Sequence, residues 1–298
     1  MYRAHFGLRE PPFGLTPDTA FTFSAASHQE ALNVLLVASA AGEGFIKITG
    51  DVGMGKTLLC RRFLSTLGEE HIAAYIPNPM LDLRGLLLAL AEELGAQVDR
   101  NTDQHGLIKA VNHALLGFAR KGKKVIVFLD EAQAMPVETL EALRLLSNLE
   151  TEKRKLVQVV LFGQPELNEK LAQAPIRQLN QRITFHYQLR SLSKQETEDY
   201  VSHRLRVAGY GGGQLFARGS IAALYKHTGG VPRLINVIAH KALLAAYGEG
   251  APQVSRKHVV RAAQDTPAAI RRTRSPRRGL ALAAAAVSGF AAVWFFVA

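Results

Sequence analysis

Cysteine is almost missing from this chain. Cys60 stands alone among 298 residues, which excludes an intrachain disulfide, a cysteine-ligated cluster and a zinc-finger module. Aromatic residues make up 7% and Trp occurs once. No internal repeat is visible, no nucleophile triad can be assembled, and the ten histidines lack metal-ligand spacing. The opening MYRAHFGLREPPFG contains no apolar run, so no leader is expected there. What is present is a 48% hydrophobic fraction against 20% charged, which rules out a disordered or fibrous chain and supplies a core. The length is more than one minimal domain and less than three. The formal charge of +11 invites an anionic partner, but Arg271, Arg272, Arg274, Arg277 and Arg278 carry nearly half of it within one short stretch. Global charge is therefore weak ground for nucleic-acid binding.

The one long apolar run closes the sequence. Leu280 to Ala298 reads LALAAAAVSGFAAVWFFVA, with no charge and only Ser288 polar. As a helix it would span roughly 28 Å, close to the ~30 Å hydrocarbon core of a bilayer. Trp294, Phe295 and Phe296 suit an interface, and the arginines just before the run place everything N-terminal to it in the cytoplasm. The competing reading, a buried helix of a soluble core, lacks a polar face to turn to water. One C-terminal transmembrane helix is expected, with the rest of the chain on the cytoplasmic side.

Between these ends the pattern alternates. Residues 1–26 read as an ordered irregular arm, followed by a helix over His28–Ala41. Phe45–Thr49 is a short strand, and a glycine-rich turn leads to a helix from Lys56 to about Leu67. Ile72–Ile76 is a second strand, and helices follow over Leu83–Leu94 and Leu107–Arg120. Val125–Leu129 and Leu156–Phe162 are uninterrupted apolar runs of the kind buried on both faces in parallel sheets. Val137–Leu149 is helical and Thr184–Leu189 is a weak last strand. This predicts a doubly wound α/β layer with helices on both faces over residues 1–192, the arm included. After Leu192 the strands stop. Helices are expected over Lys194–Val207, Ser220–His227, Pro232–Tyr247 and Arg256–Ala263, with Ser193 and Glu196 forming a capping box and Ser255 capping the last. Residues 193–266 thus make a small helical lid, 267–279 a basic Pro/Arg linker, and 280–298 the span. The runs Arg120–Lys124 and Lys153–Lys155 read as solvated turns, and Cys60 as a small buried residue.

Three strand ends carry chemistry. Gly50-Asp51-Val52-Gly53-Met54-Gly55-Lys56-Thr57 has the spacing G-x4-G-K-T between a strand and a helix that continues with Leu58. Glycines let backbone N–H groups curl around phosphates at a helix N-terminus, Lys56 reaches the β- and γ-phosphates, and the Thr57 hydroxyl holds Mg²⁺. Asp130-Glu131 ends the buried strand Val125–Leu129, where Asp130 holds the metal and Glu131 polarises water. Gln164 follows the next strand and can contact the γ-phosphate or orient the water, with a plain turn residue as the alternative. Arg182 precedes the last strand and could project onto a neighbour's γ-phosphate; Arg177 and Arg190 compete for that role. Arg233, after Gly229-Gly230-Val231-Pro232, could reach back onto the phosphates from the first turn of a lid helix.

GDVGMGKT, VIVFLDEAQ, the Gln164 position, QRI and GGVPR together resemble AAA+ ATPases. FGLREPPFGLTPD, SHQEAL and LFGQPEL resemble more narrowly the bacterial secretion-pathway protein A (ExeA) group, with its short type, serving the MSHA pilus, as the nearer match. The resemblance covers residues 1–270. It implies a ring or other homo-oligomer that binds ATP and Mg²⁺ and hydrolyses ATP at the inner membrane, assisting assembly of a type IV-like pilus or a type II secretion or secretin complex. It also implies that the segment around Phe13, Pro17 and His28 lies near the adenine, with Val52 close to the base. Longer members carry a wall-binding region after the span; the sequence stops at Ala298, so that property is not carried over. The alternative is a DNA-dependent AAA+ ATPase of the transposition or replication-loader type. The concentration of charge beside the span argues for lipid headgroups instead, and nucleic acid is not the expected partner.

Overall fold

The computed structural model describes residues 1–269, apart from 17, 78, 100, 148–149 and 152–153. Five strands form one parallel sheet: β1 (Phe45–Thr49), β2 (His71–Ile76), β3 (Lys124–Leu129), β4 (Val157–Gly163) and β5 (Ile183–Gln188). Their spatial order is β2-β3-β4-β1-β5. The continuous apolar character of β3 and β4 follows from burial on both faces. Val125, Val127 and Leu129 pack into one core, under the helices Leu83–Glu93, Gln104–Arg120 and Val137–Ser147. Ile126 and Phe128 pack into the other, under Ala26–Ala41 and Lys56–Thr66. The period of two assigns alternate side chains to opposite cores, so a one-residue slip would exchange them.

Insertion of β4 between β1 and β3 decides where the site lies. In register, Thr49 sits beside Gly163, and Leu129 beside Leu161. The carboxyl ends of β1, β4 and β3 therefore stand side by side, and open parallel sheets place ligands at that edge.

Residues Lys194–Val207, Ser220–Thr228, Pro232–Gly248 and Arg256–Gln264 form an all-helical unit. Ser193 and Glu196 cap its first helix reciprocally. The Ser255 N–H donates to Nδ1 of His258 at the start of the last helix, 3.0 Å away.

The N-terminal arm, grouped by its sequence with the α/β layer, packs instead with this helical unit. It contains a helix at Tyr2–Phe6 and a 3-10 turn at Thr19–Phe21. Phe6, Leu8, Phe13 and Phe21 are buried in the same cluster as Leu205, Leu224 and Leu243. Arg9 N donates to the Ala208 carbonyl, and the rings of Phe13 and Phe216 meet edge to face. Each of these arm side chains contributes about 1.5–3 kcal/mol by burial, and the gain belongs to the helical unit. A second departure from the sequence reading is a two-stranded hairpin pairing Glu150–Thr151 with Arg154–Lys155, where a solvated turn was expected. Lys124 likewise opens β3 rather than ending a turn.

Among the described residues no helix is long and apolar enough to cross a membrane. The expected span at 280–298, and most of the basic linker before it, lie outside the described residues.

Candidate active site

The loop Gly50–Thr57 is rooted on both sides of β1. Gly50 N donates to the Gly163 carbonyl at 3.1 Å, and Leu189 N to the Thr49 carbonyl at 2.7 Å. Gly53 (φ 81°) and Gly55 (φ 89°) adopt the left-handed conformation that a side chain would strain. A Cβ on Gly55 would also come 3.1 Å from Nε2 of His28. That nitrogen donates to the Met54 carbonyl at 2.8 Å, bracing the loop from the Ala26–Ala41 helix. Lys56 opens the following helix. Its Nζ donates inward to the carbonyls of Gly50 (2.8 Å) and Asp51 (3.2 Å). Burial lowers the Lys56 pKa, and the carboxylates of Glu131, Asp130 and Asp51 act against that shift. A buried ammonium inside a cup of backbone is placed to receive a polyanion.

Thr57 Oγ1 donates to Oδ2 of buried Asp130 at 2.7 Å. The Tyr75 hydroxyl approaches the same oxygen at 3.4 Å, and Glu131 N donates to Oδ1 at 3.0 Å. Tyr75 was not singled out from the sequence; its place in β2, next to β3 in register, is what brings it there. Burial and the Asp130 charge push its hydroxyl up to about 12, so it stays protonated and donates. These oxygens are the hard donors that suit a divalent cation such as Mg²⁺.

Glu131 is the only non-glycine residue with positive φ (55°) among the described residues. Such strain persists where surrounding contacts over-determine it. Here two amides do so: Gln133 Nε2 donates to Glu131 Oε2 at 2.5 Å, and Gln164 Nε2 to the same oxygen at 3.0 Å. Burial alone would raise the Glu131 pKa; the Gln133 and Gln164 hydrogen bonds and the Lys56 charge outweigh it and hold the carboxyl below its usual range. Sequence reasoning found Gln164 and missed Gln133. The available signal was a second amide two residues past Glu131, in the tight turn Ala132–Ala134.

Arg233 lies where the helical unit meets the loop. Pro232 starts its helix, and Arg233 N donates to the Gly53 carbonyl at 3.2 Å. Arg233 lines, with Lys56, Thr57 and Glu131, a cavity of about 230 Å³ that Gly14–Thr16 of the arm also line. Val52 and Leu58 line it too, and Val52 is 56% exposed at the crest of the loop. A smaller, more apolar cavity adjoins it through Leu58 and Tyr200 and reaches His28 and Phe21. Phe13 lines neither, because its ring is taken up by Phe216. Pro17 lies outside the described residues. Arg204 and Tyr200 line both cavities; Arg204 donates to the Pro12 carbonyl and to the Tyr200 hydroxyl (3.1 Å) and lies 4.6 Å over the Phe21 ring. Tyr200 donates in turn to Asn236 at 3.0 Å.

Arg182 is not part of this cavity. It precedes β5, whose Ile183 pairs with Phe45 at the far end of β1, and its Nη1 donates to the Arg144 carbonyl at 3.4 Å. Arg177 is exposed, and Arg190 pairs with Glu30 at 2.9 Å on the surface.

With this geometry in place, comparison with known proteins is specific. Residues 39–171 match the AAA domain family. The chain is 40% identical over 295 residues, 99% of its length, to General secretion pathway protein A of Aeromonas hydrophila, and spans about half (54%) of that relative. Among solved structures, Aeropyrum pernix ORC2 in ADPNP–ADP complexes matches with a TM-score of 0.60 at 16% identity, covering 84% of this chain and 72% of that one. The Thermotoga maritima RuvB Holliday junction branch migration motor matches at 0.56 and 15%, covering 83% and 73%. At such identities the two structures show the fold alone, a P-loop AAA+ α/β fold, with which the five-stranded parallel sheet agrees.

Proposed function

From the similarity of this AAA-domain chain to General secretion pathway protein A, we propose that it binds ATP with Mg²⁺ between the Gly50–Thr57 loop and Asp130–Glu131, and hydrolyses it to assist assembly of a secretion or type IV-like pilus machine. The observation that carries the reading is the meeting of Lys56 and Thr57 after β1, Asp130 and Glu131 after β3 and Gln164 after β4, at three adjacent strand ends beside one cavity.

In this reading the loop amides and Lys56 Nζ hold the β- and γ-phosphates, with Lys56 exchanging its two carbonyl partners for phosphate oxygens. Thr57 and Asp130 would hold Mg²⁺, which neutralises charge on the phosphates when bound. Glu131 accepts the proton of the attacking water, Gln164 orients that water or the γ-phosphate, and Arg233 senses the phosphate from the helical unit. That unit then acts as a lid, carrying the arm with it. The position of Arg182, far from its own cavity, supports action on the nucleotide of a neighbouring copy and hence a homo-oligomer. The apolar run Leu280–Ala298 and its preceding arginines support a tether to the inner membrane, with the ATPase on the cytoplasmic side.

Calorimetry with Mg-ATP and the full chain tests the core of this reading. Saturable binding that is lost in Lys56→Ala is expected. No heat of binding at millimolar nucleotide would end it.

A further inference from the structure

Gln133 ties two strand tips together and ends on the carboxylate that the proposed hydrolysis needs. Its Nε2 donates to Glu131 Oε2 at 2.5 Å, while its Oε1 accepts from Gln164 N at 3.0 Å. The side chain thus spans from the end of β3 to the end of β4. Its own backbone is held as well: Lys170 Nζ donates to the Gln133 carbonyl at 2.6 Å and to the Met135 carbonyl at 2.7 Å. Gly163 packs under this bridge and under Leu167: a Cβ there would come 2.7 Å from Leu167 Cδ2 and 3.3 Å from Gln133 Oε1. Both functional ends of this amide are used, and both partners belong to the catalytic edge of the sheet.

We propose that Gln133 is a positioning residue that fixes the Glu131 carboxylate and the Gln164 turn as one unit. The role rests on Glu131 being the base of the proposed reaction. Two amides on Oε2 leave Oε1 as the oxygen free to take a proton from water. They also hold the left-handed backbone at Glu131, which without them would relax toward commoner conformations and swing the carboxylate away. A ligand near Gln164 would be felt at Glu131 through two routes: the Gln164 side chain directly, and its backbone N–H through Gln133. A lone structural hydrogen bond would need neither the shared oxygen nor the second strand.

The test is ATP hydrolysis by the full chain with Gln133→Met, which keeps the volume and removes donor and acceptor. The expected result is a kcat lower by ~10–100-fold, as for removal of a residue that orients a functional ligand. ATP affinity and melting temperature should stay near wild type. An unchanged kcat, or a joint fall in kcat, affinity and melting temperature, would overturn the role. If Gln133→Met does not fold, Gln133→Asn, one methylene too short to bridge both partners, carries the same comparison. A double-mutant cycle separates this inference from the reading beneath it. Combined with Glu131→Gln, Gln133→Met should cost nothing further, whereas independent, additive losses would overturn it. Wild-type turnover in Glu131→Gln alone would remove the assignment of the base. Slow turnover there with normal turnover in Gln133→Met would leave the base standing and remove only its positioning by Gln133.

Discussion

The two halves of the chain bury polar groups for opposite ends. At the sheet edge, Lys56 donates to two loop carbonyls and Thr57 to Asp130, and Lys56 and Thr57 line the larger cavity. In the proposed function their partners are exchanged for phosphate and metal oxygens. In the helical half, Arg204 is 7% exposed and spends its donors on Pro12 and Tyr200, while Tyr200 spends its own on Asn236. Those bonds close the arm onto the helices and cannot be lost without opening the unit. Arg204 lines the same cavity, so the contrast lies in what the bonds hold: Lys56 donates within its own loop, whereas Arg204 joins the arm to a helix 192 residues away.

Substitutions at the sheet edge should therefore remove activity and spare the fold. Lys56→Ala is expected to abolish measurable ATP turnover, a loss of at least ~10²–10³-fold for one charge aimed at the transferring phosphoryl group, with melting temperature unchanged. Glu131→Gln should retain ATP binding and slow turnover ~10²–10⁴-fold, the usual worth of a general base. Paired binding and single-turnover measurements check both, and a melting temperature that fell with activity would break the contrast.

Arg204→Ala should do the reverse. It leaves the Pro12 carbonyl without its donor and opens space over Phe21, at a cost of about 2–3 kcal/mol in urea unfolding. Turnover of the folded fraction should change less than in Glu131→Gln. Gly53→Ala probes the seam between the halves. Its added methyl would strain the left-handed turn and meet the Arg233 side chain, whose backbone N–H bonds the Gly53 carbonyl. ATP affinity should weaken ~10-fold, about 1.4 kcal/mol, with little loss of overall stability. Unaltered affinity would mean that the loop and the helical unit are not coupled at this contact.

How far the sequence revealed this comparison depended on range. The apolar runs at β3 and β4 were visible because strands buried on both faces leave no polar residue to interrupt them. The loop from Gly50 to Thr57 and the pair Asp130-Glu131 were visible because their spacing is local. Ser193 with Glu196 was legible for the same reason. Gln133 was not, since its meaning lies in a partner 31 residues away, just past the end of another strand. Nor was the arm: Phe6, Leu8 and Phe13 have no local period to reveal their core, and their contacts lie some two hundred residues on, as the Arg204–Pro12 bond does at a separation of 192. The same distance hid the idle position of Phe13 and the separation of Arg182 from its own cavity.

Acid should separate the halves by a smaller margin. Burial holds His28, His203 and His240 below the ordinary histidine value of 6.5, in His28 against the opposing pull of the Met54 carbonyl. A histidine kept neutral by the fold takes its proton more readily when unfolded, so its stabilisation is complete above 6.5 and is lost as pH falls from there through the lowered folded value. Glu249 has the same sign in a lower window. Hydrogen bonds from Lys257 and His258 hold it at about 2 instead of 4.5, so its share persists to about 4.5 and fades toward about 2. The urea midpoint of the nucleotide-free chain should accordingly decline as pH falls below 6.5. His28→Gln, whose amide can still donate to Met54, should make that decline shallower by removing the contribution from the α/β half. Glu249→Gln should leave it untouched and act only at lower pH, within the helical half. An identical slope in His28→Gln and wild type would show that the brace between His28 and the Met54 carbonyl carries no proton-linked stability.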